Sequence, residues 1–185
     1  DGILDGCEDV NRNGQRDGFE SDPNEADSDG DGISDGDEDQ NHNGVYDQGE
    51  TDPLSPDTDQ DGTPDGAEDR NQNGVVDVGE MDPRSDDSDG DGILDAIEDR
   101  DHDGMYTDDG VETDAGSRDT DGDGIEDGVE DANQNGGVEP GETNPRLVDS
   151  DGDCLADGVE DANRNGVRDE GELDPLGRDS DGDGI

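Results

Sequence analysis

Aromatic side chains are nearly missing from this sequence: Phe19, Tyr46 and Tyr106 are the only three, tryptophan is absent, and hydrophobic residues make up 21% of 185. A chain this poor in apolar surface cannot build an ordinary core, because burial would not offset the entropy of ordering its backbone. Basic residues are scarce too, 10 against 62 acidic ones, for a formal net charge of −52. That imbalance argues against nucleic acid and anionic membrane surfaces as partners, since both repel it at close range. No apolar run is long enough for membrane insertion. Two readings survive: an acidic disordered tail, or a chain that folds only when a bound cation neutralises its carboxylates.

The order of the acidic residues favours the second. Segments of the form D-[ST]-D-x-D place their middle aspartates at Asp29, Asp59, Asp89, Asp121, Asp151 and Asp181, spaced by 30, 30, 32, 30 and 30 residues. A fixed period of this size marks a repeat architecture whose units mainly contact their neighbours, so one elongated array over residues 1–185 is expected. Its units are 27–56, 57–86, 87–118, 119–148 and 149–178, with partial units at 1–26 and 179–185. The interval of 32 arises in DRDHDGMYTDDGVE, which holds two more residues than its counterpart DQNHNGVYDQGE. The chain opens with DGILDG and closes with DSDGDGI, both inside a repeat, so it is expected to be a window of a longer array; a missing signal peptide then carries no information.

Residues 27–56 divide into two twelve-residue loops and a six-residue linker. The first loop has acids at positions 1, 3, 5, 9 and 12 (Asp27, Asp29, Asp31, Asp35 and Glu38) and Gly32 at position 6, the spacing of an EF-hand calcium loop. The second repeats it with Asp39, Asn41, Asn43, Asp47 and Glu50 around Gly44, and asparagine still offers a carbonyl oxygen. The spacing has a physical reason. Calcium takes six to eight oxygens, alternate residues of a tight loop can point at one centre, and glycine at position 6 takes the positive φ of the turn. Magnesium, smaller and octahedral, fits such a cage less well.

The same positions supply the candidate ligands of the other all-acid loops: Asp57, Asp59, Asp61, Asp65 and Glu68; Asp87, Asp89, Asp91, Asp95 and Glu98; Asp119, Asp121, Asp123, Asp127 and Glu130; Asp149, Asp151, Asp153, Asp157 and Glu160. Loops of the second type supply Asp9, Asn11, Asn13, Asp17 and Glu20; Asp69, Asn71, Asn73, Asp77 and Glu80; Asp131, Asn133, Asn135, Glu139 and Glu142; Asp161, Asn163, Asn165, Asp169 and Glu172. In the loop with the insertion, Asp99, Asp101 and Asp103 keep their places, while Asp109 and Glu112 serve as positions 9 and 12. Incomplete loops add Asp1, Asp5 and Glu8 at one end and Asp179, Asp181 and Asp183 at the other. There are eleven complete loops in register, each with glutamate at position 12, which merely solubilising low-complexity sequence would not maintain. Calcium, at eleven or more ions, is the expected cofactor. Eleven divalent ions carry +22 and would take −52 to −30, so further ions remain electrostatically welcome.

Some positions depart from the pattern. Cys154 stands at position 6 in place of glycine and is expected to strain that turn. Thr63 and Pro64 occupy positions 7 and 8, where only a backbone carbonyl is needed, and Glu139 replaces aspartate with a longer arm. Glu38 is followed at once by Asp39, and Glu68 by Asp69, which leaves no room for the paired helices of an EF-hand. A helix-opening sensor mechanism therefore has nothing to act on.

Head-to-tail DxDxDGxxDGxED and DxNxNGxxDxGE loops with a following TDP resemble thrombospondin type 3 repeats, particularly the bacterial version, over essentially the whole chain. The resemblance implies an irregular chain wound around a string of calcium ions, with short helical turns at most, no conventional core and more than one ion in a motif. Animal members of that family are stapled by many disulfides, whereas only Cys7 and Cys154 occur here, about five repeats apart. They are expected to be free thiols within this chain, a bridge to another chain being the alternative.

Smaller features have bland readings beside sharper ones. Asp22, Asp52, Asp82, Asp114 and Asp174, with Asn144 in the sixth place, recur in the linkers as turn formers or as added calcium contacts. Ile3, Ile33, Ile93, Ile125, Leu155 and Ile185 recur at position 7 and are expected to form small apolar plugs. Ser28, Thr58, Ser88, Thr120, Ser150 and Ser180 at position 2 are expected to make local hydrogen bonds, an outward row carrying O-linked glycan being the alternative. His42 and His102 are expected to face outward. No nucleophile constellation, phosphate loop or cofactor motif is present, so an enzyme is not expected. The leading expectation is an extracellular or cell-surface structural protein, a calcium-dependent stalk, spacer or self-associating filament shaft. Calcium storage, mineral-surface binding and a calcium-dependent adhesin are the alternatives.

Overall fold

The computed structural model describes residues 1–107, 110–180 and 182. Asp109, Asp181 and Asp183, expected as ligands, and Ile185, expected as a plug, lie outside the described residues. There are two compact units, Asp1–Asp86 with Asp101–Met105, and Asp87–Arg100 with Tyr106–Ile185.

Among the described residues there is no β-strand, and α-helix is confined to six single turns: α1 (Asp5–Glu8), α2 (Asp35–Glu38), α3 (Asp65–Glu68), α4 (Asp95–Glu98), α5 (Asp127–Glu130) and α6 (Asp157–Glu160). Each covers positions 9–12 of an all-acid loop. The preceding residue is extended, which suits Pro64 with its φ of −70° and ψ of 142°, so proline causes no break there. Ser34 caps α2 by accepting from the Asp37 amide. Each turn stops because the following aspartate, the first residue of the next loop, leaves helical geometry, as Asp39 does with ψ of 77°. One turn suffices to bring positions 9 and 12 onto one face.

A backbone bond closes the all-acid loops. The position-9 amide reaches back to the last linker carbonyl, as in Asp35 to Ala26 (3.0 Å) and Asp65 to Pro56 (3.1 Å), and in the second unit Asp127 to Arg118 (2.8 Å) and Asp157 to Val148 (2.9 Å).

Within each unit, successive sequence repeats meet largely through contacts to backbone, with a few apolar side chains between them. In the first unit, a Cβ placed on Gly74 would fall well inside van der Waals contact of the Asp37 carbonyl. The side-chain amide of Gln40 donates to the Gly74 carbonyl, and Arg84 Nη1 donates to the Gly49 carbonyl at 2.6 Å. In the second unit, Arg118 Nε donates to Asp89 O at 2.5 Å and Arg146 Nη1 to Val111 O at 3.2 Å. Only glycine has both the space and the φ of +72° that position 74 needs.

The apolar content is small. Ile3, Ile33, Ile93 and Ile125 are buried as plugs, and Thr63 is buried in the same place. Ile33 shares a small cavity with Val75, Val76 and Pro83, contributed by the next repeat. Leu155 corrects the expectation. It is 39% exposed.

Candidate metal centre

In the all-acid loops the aspartates shape the loop by accepting from backbone amides, Asp27 through both oxygens and Asp29 and Asp31 through one each within the loop. Asp27 accepts from the amides of Gly30 (2.6 Å) and Gly32 (3.2 Å), Asp29 from Asp31 (3.3 Å), and Asp31 from Ile33 (2.7 Å). These are the local side-chain to backbone turns that aspartate favours. They leave Asp27, Asp29 and Asp31 each with an oxygen in a group whose members lie within 4.8 Å of one another; Asp57, Asp59 and Asp61, and Asp87, Asp89 and Asp91, are grouped likewise. The second oxygens of Asp29, Asp59, Asp89, Asp121 and Asp151 are buried without a hydrogen-bond partner. Burial, reinforced by the neighbouring aspartates, pushes Asp29, Asp59 and Asp89 up to about 7 and Asp121 to about 6.

Position 12 is the most severe case. Glu38 is 1% exposed and neither of its carboxylate oxygens has a hydrogen-bond partner. Burial, then the charges of Asp29, Asp31 and Asp65, push it up to about 9. Thr51 stands close enough to favour the charged form but outside hydrogen-bonding geometry. In the second unit Glu130 repeats this, at about 9 with both oxygens unpartnered, and Glu98 keeps one such oxygen while the other accepts from the Thr113 hydroxyl at 2.8 Å. A buried anion with no donor is costly unless a cation supplies the opposite charge. The oxygen-only donor set suits a hard cation.

Position 9 also reaches beyond its own loop. Asp35 gives one oxygen to the Ser28 amide and the other to the Ser28 hydroxyl, both at 2.7 Å. Asp65 binds Thr58 in the same way and also joins Asp31 and Glu38 of the preceding repeat, all within 4.8 Å. Sequence spacing placed Asp65 at position 9 of its own loop. A one-dimensional pattern carries no sign of which carboxylate faces a neighbouring unit.

The second-type loops differ in kind. Glu50 accepts from the Asn41 side chain (2.8 Å) and the Asp47 amide (3.0 Å), Asn43 donates to Asp47 (2.8 Å), and Asp39 accepts from Gly44 (2.6 Å). The expected ligands are therefore together, but most of their oxygens are already partnered. The loops around Asn11 and Asn13, Asn71 and Asn73, and Asn163 and Asn165 follow suit. Glu139 does reach the aspartate position, accepting from Asn133 (3.0 Å) and Asn135 (3.3 Å). Glu112 is buried and accepts from the Thr107 hydroxyl at 2.7 Å, where other loops use a backbone amide.

The linker residues are turn formers: Asp22, Asp52, Asp82, Asp114, Asn144 and Asp174 each accept from the amide two residues on. The position-2 hydroxyls do not form an outward row. Ser28 and Thr58 donate to Asp35 and Asp65 and accept from the amides of Asp22 and Asp52. His102 is half-buried, not outward, with Nδ1 3.1 Å from the Thr63 hydroxyl, while His42 is exposed as expected. Cys7 and Cys154 are free thiols. Sequence reading missed the role of the first linker residue, whose hydroxyl touches the buried glutamate in Ser21 to Glu8 (3.4 Å) and Thr113 to Glu98. Its signal was the recurrence of Ser or Thr directly after four of the second-type loops, at Ser21, Thr51, Thr113 and Thr143. No helix among the described residues is long and apolar enough to cross a membrane. No protein-family model matches the chain, and neither a curated protein nor a solved structure matches it.

Proposed function

We propose that this chain is a calcium-stabilised tandem-repeat rod of the thrombospondin type 3 kind, serving outside the cell or on its surface as a stalk, spacer or filament shaft. One observation carries the reading: Glu38 and Glu130 hold both carboxylate oxygens buried and unpartnered among further aspartates. Calcium would be held in the all-acid loops by the aspartates of positions 1, 3 and 5 and by the position-12 glutamate, and would supply the charge these groups lack. With so few buried apolar side chains, the ion and the fold then stand or fall together. Extracellular placement follows from affinity. Extracellular calcium modules bind at about 10⁻⁴–10⁻³ M, a level filled outside cells and largely empty within them.

The test is X-ray scattering and circular dichroism in millimolar calcium and then in chelator. A rod should be stiff and protease-resistant with calcium and an expanded coil without it. A chain equally disordered in both conditions rules the reading out. Native mass spectrometry at saturation should count about eleven ions or more, at one per loop.

A further inference from the structure

We propose that Asp31, Glu38 and the following repeat's Asp65 form a composite site for a hard divalent cation, which clamps one repeat onto the next. The inference rests on the calcium reading above and goes beyond it, since a self-contained loop would not need its neighbour. Oxygens of the three residues lie within 4.8 Å of one another, although Glu38 and Asp65 are 27 positions apart in the chain. Glu38 is 1% exposed with both oxygens unpartnered, and no ion pair among the described residues reaches Asp31, Glu38 or Asp65. Beyond a proton, positive charge for these oxygens therefore has to come from a ligand.

Two features hold the site in place. Asp31 Oδ2 accepts from the Gly66 amide at 3.0 Å, which sets the next repeat against it, and Thr58 orients Asp65 through its amide (2.7 Å) and hydroxyl (2.6 Å). The second unit repeats the arrangement. Gly128 donates to Asp91 at 2.6 Å, and the charges acting on Glu98 are Asp89, Asp91 and Asp127, the last from the following repeat. Asp31 and Asp91 also belong to the groups of positions 1, 3 and 5, so each can serve two neighbouring ions and couple their uptake.

The test uses the full chain in saturating calcium with residue-resolved amide hydrogen exchange and an ion count by native mass spectrometry. Glu38→Gln should remove one ion and speed exchange at the Gly66 amide about tenfold or more. The Gly30 and Gly32 amides, which donate to Asp27 inside the altered loop, report separately on the loop's own ion. Faster exchange confined to residues 27–39, with Gly66 unchanged, overturns the clamp and leaves calcium-dependent folding standing. A wild-type chain that takes up no calcium overturns both. Should Glu38→Gln not fold, Asp65→Asn decides, because asparagine keeps an acceptor for the Thr58 amide. The clamp then requires one lost ion and faster exchange at the Asp39 amide, which donates to Asp35 O; an unchanged Asp39 overturns it.

Discussion

The Gly66 amide donates to the carboxylate of Asp31, 35 residues earlier, at 3.0 Å. Gly128 to Asp91 (2.6 Å) and Gly158 to Asp123 (2.7 Å) are the same bond in the second unit. One side chain thus shapes its own loop through Ile33 and receives the backbone of the next sequence repeat.

Backbone-to-backbone approach of this kind leaves no room for a methyl group. Gly74→Ala should destabilise the calcium-loaded chain by about 1–3 kcal/mol from overpacking against the Asp37 carbonyl, with left-handed strain added at its φ of +72°. Gly18→Ala, with nothing within 4 Å and no positive φ, should be neutral or slightly stabilising. Urea unfolding in saturating calcium measures both. Equal midpoints for the two variants would show that this contact carries no weight.

The Thr58 hydroxyl donates to Asp65 at 2.6 Å and accepts from the Asp52 amide at 2.9 Å, tying linker, loop start and helical turn together. Thr58→Val keeps the shape and removes both bonds. The expected cost is about 1–3 kcal/mol, the range for a partly buried group left without its partner. The same unfolding assay reads it, and Ser34→Ala, which loses only the exposed cap of α2, should cost less.

Cation uptake should be coupled to protons. Burial raises Glu38, Glu98 and Glu130 to about 9 from a usual 4.5. Between those values the fold holds protons that the unfolded chain has released. Their contribution to cation-free stability is therefore fully present below about 4.5 and is lost as pH rises towards 9. At neutral pH the cation-free chain is an expanded coil whose carboxylates are already ionised, so proton release on calcium binding should appear only as the pH falls towards about 4.5, where calcium affinity should drop. Calorimetry in buffers of different ionisation heat checks this. Binding heats that do not vary with the buffer near pH 4.5 would contradict it.

The grouping of Asp27, Asp29 and Asp31 was legible in sequence, because alternate acidic residues before a glycine turn stand at fixed local spacing. The one-turn helices were legible only as a ceiling, since four residues leave no periodic signature. The pairing of Glu38 with Asp65, the Gly66 to Asp31 bond and the half-buried His102 were not legible, for each depends on how one repeat is set against the next.

Cys154 offers a gain rather than a loss. It stands where the other all-acid loops have glycine, and its φ is +85°, against +100° to +113° at Gly32, Gly62, Gly92 and Gly124. A side chain in this region costs about 1–2 kcal/mol. Replacing it with glycine forfeits about 0.4–1 kcal/mol through the looser unfolded chain. The strain is the larger quantity, so Cys154→Gly should stabilise the calcium-loaded chain by up to about 1 kcal/mol. Cys154→Ala keeps the strain and removes the thiol, and should leave stability unchanged within about 0.5 kcal/mol, because the side chain is exposed. Stabilisation by alanine equal to that by glycine would assign the effect to thiol chemistry. Gln60→Gly, at a φ of +68° where the other first-type loops carry glycine, should repeat the gain in the first unit and so tie it to the backbone.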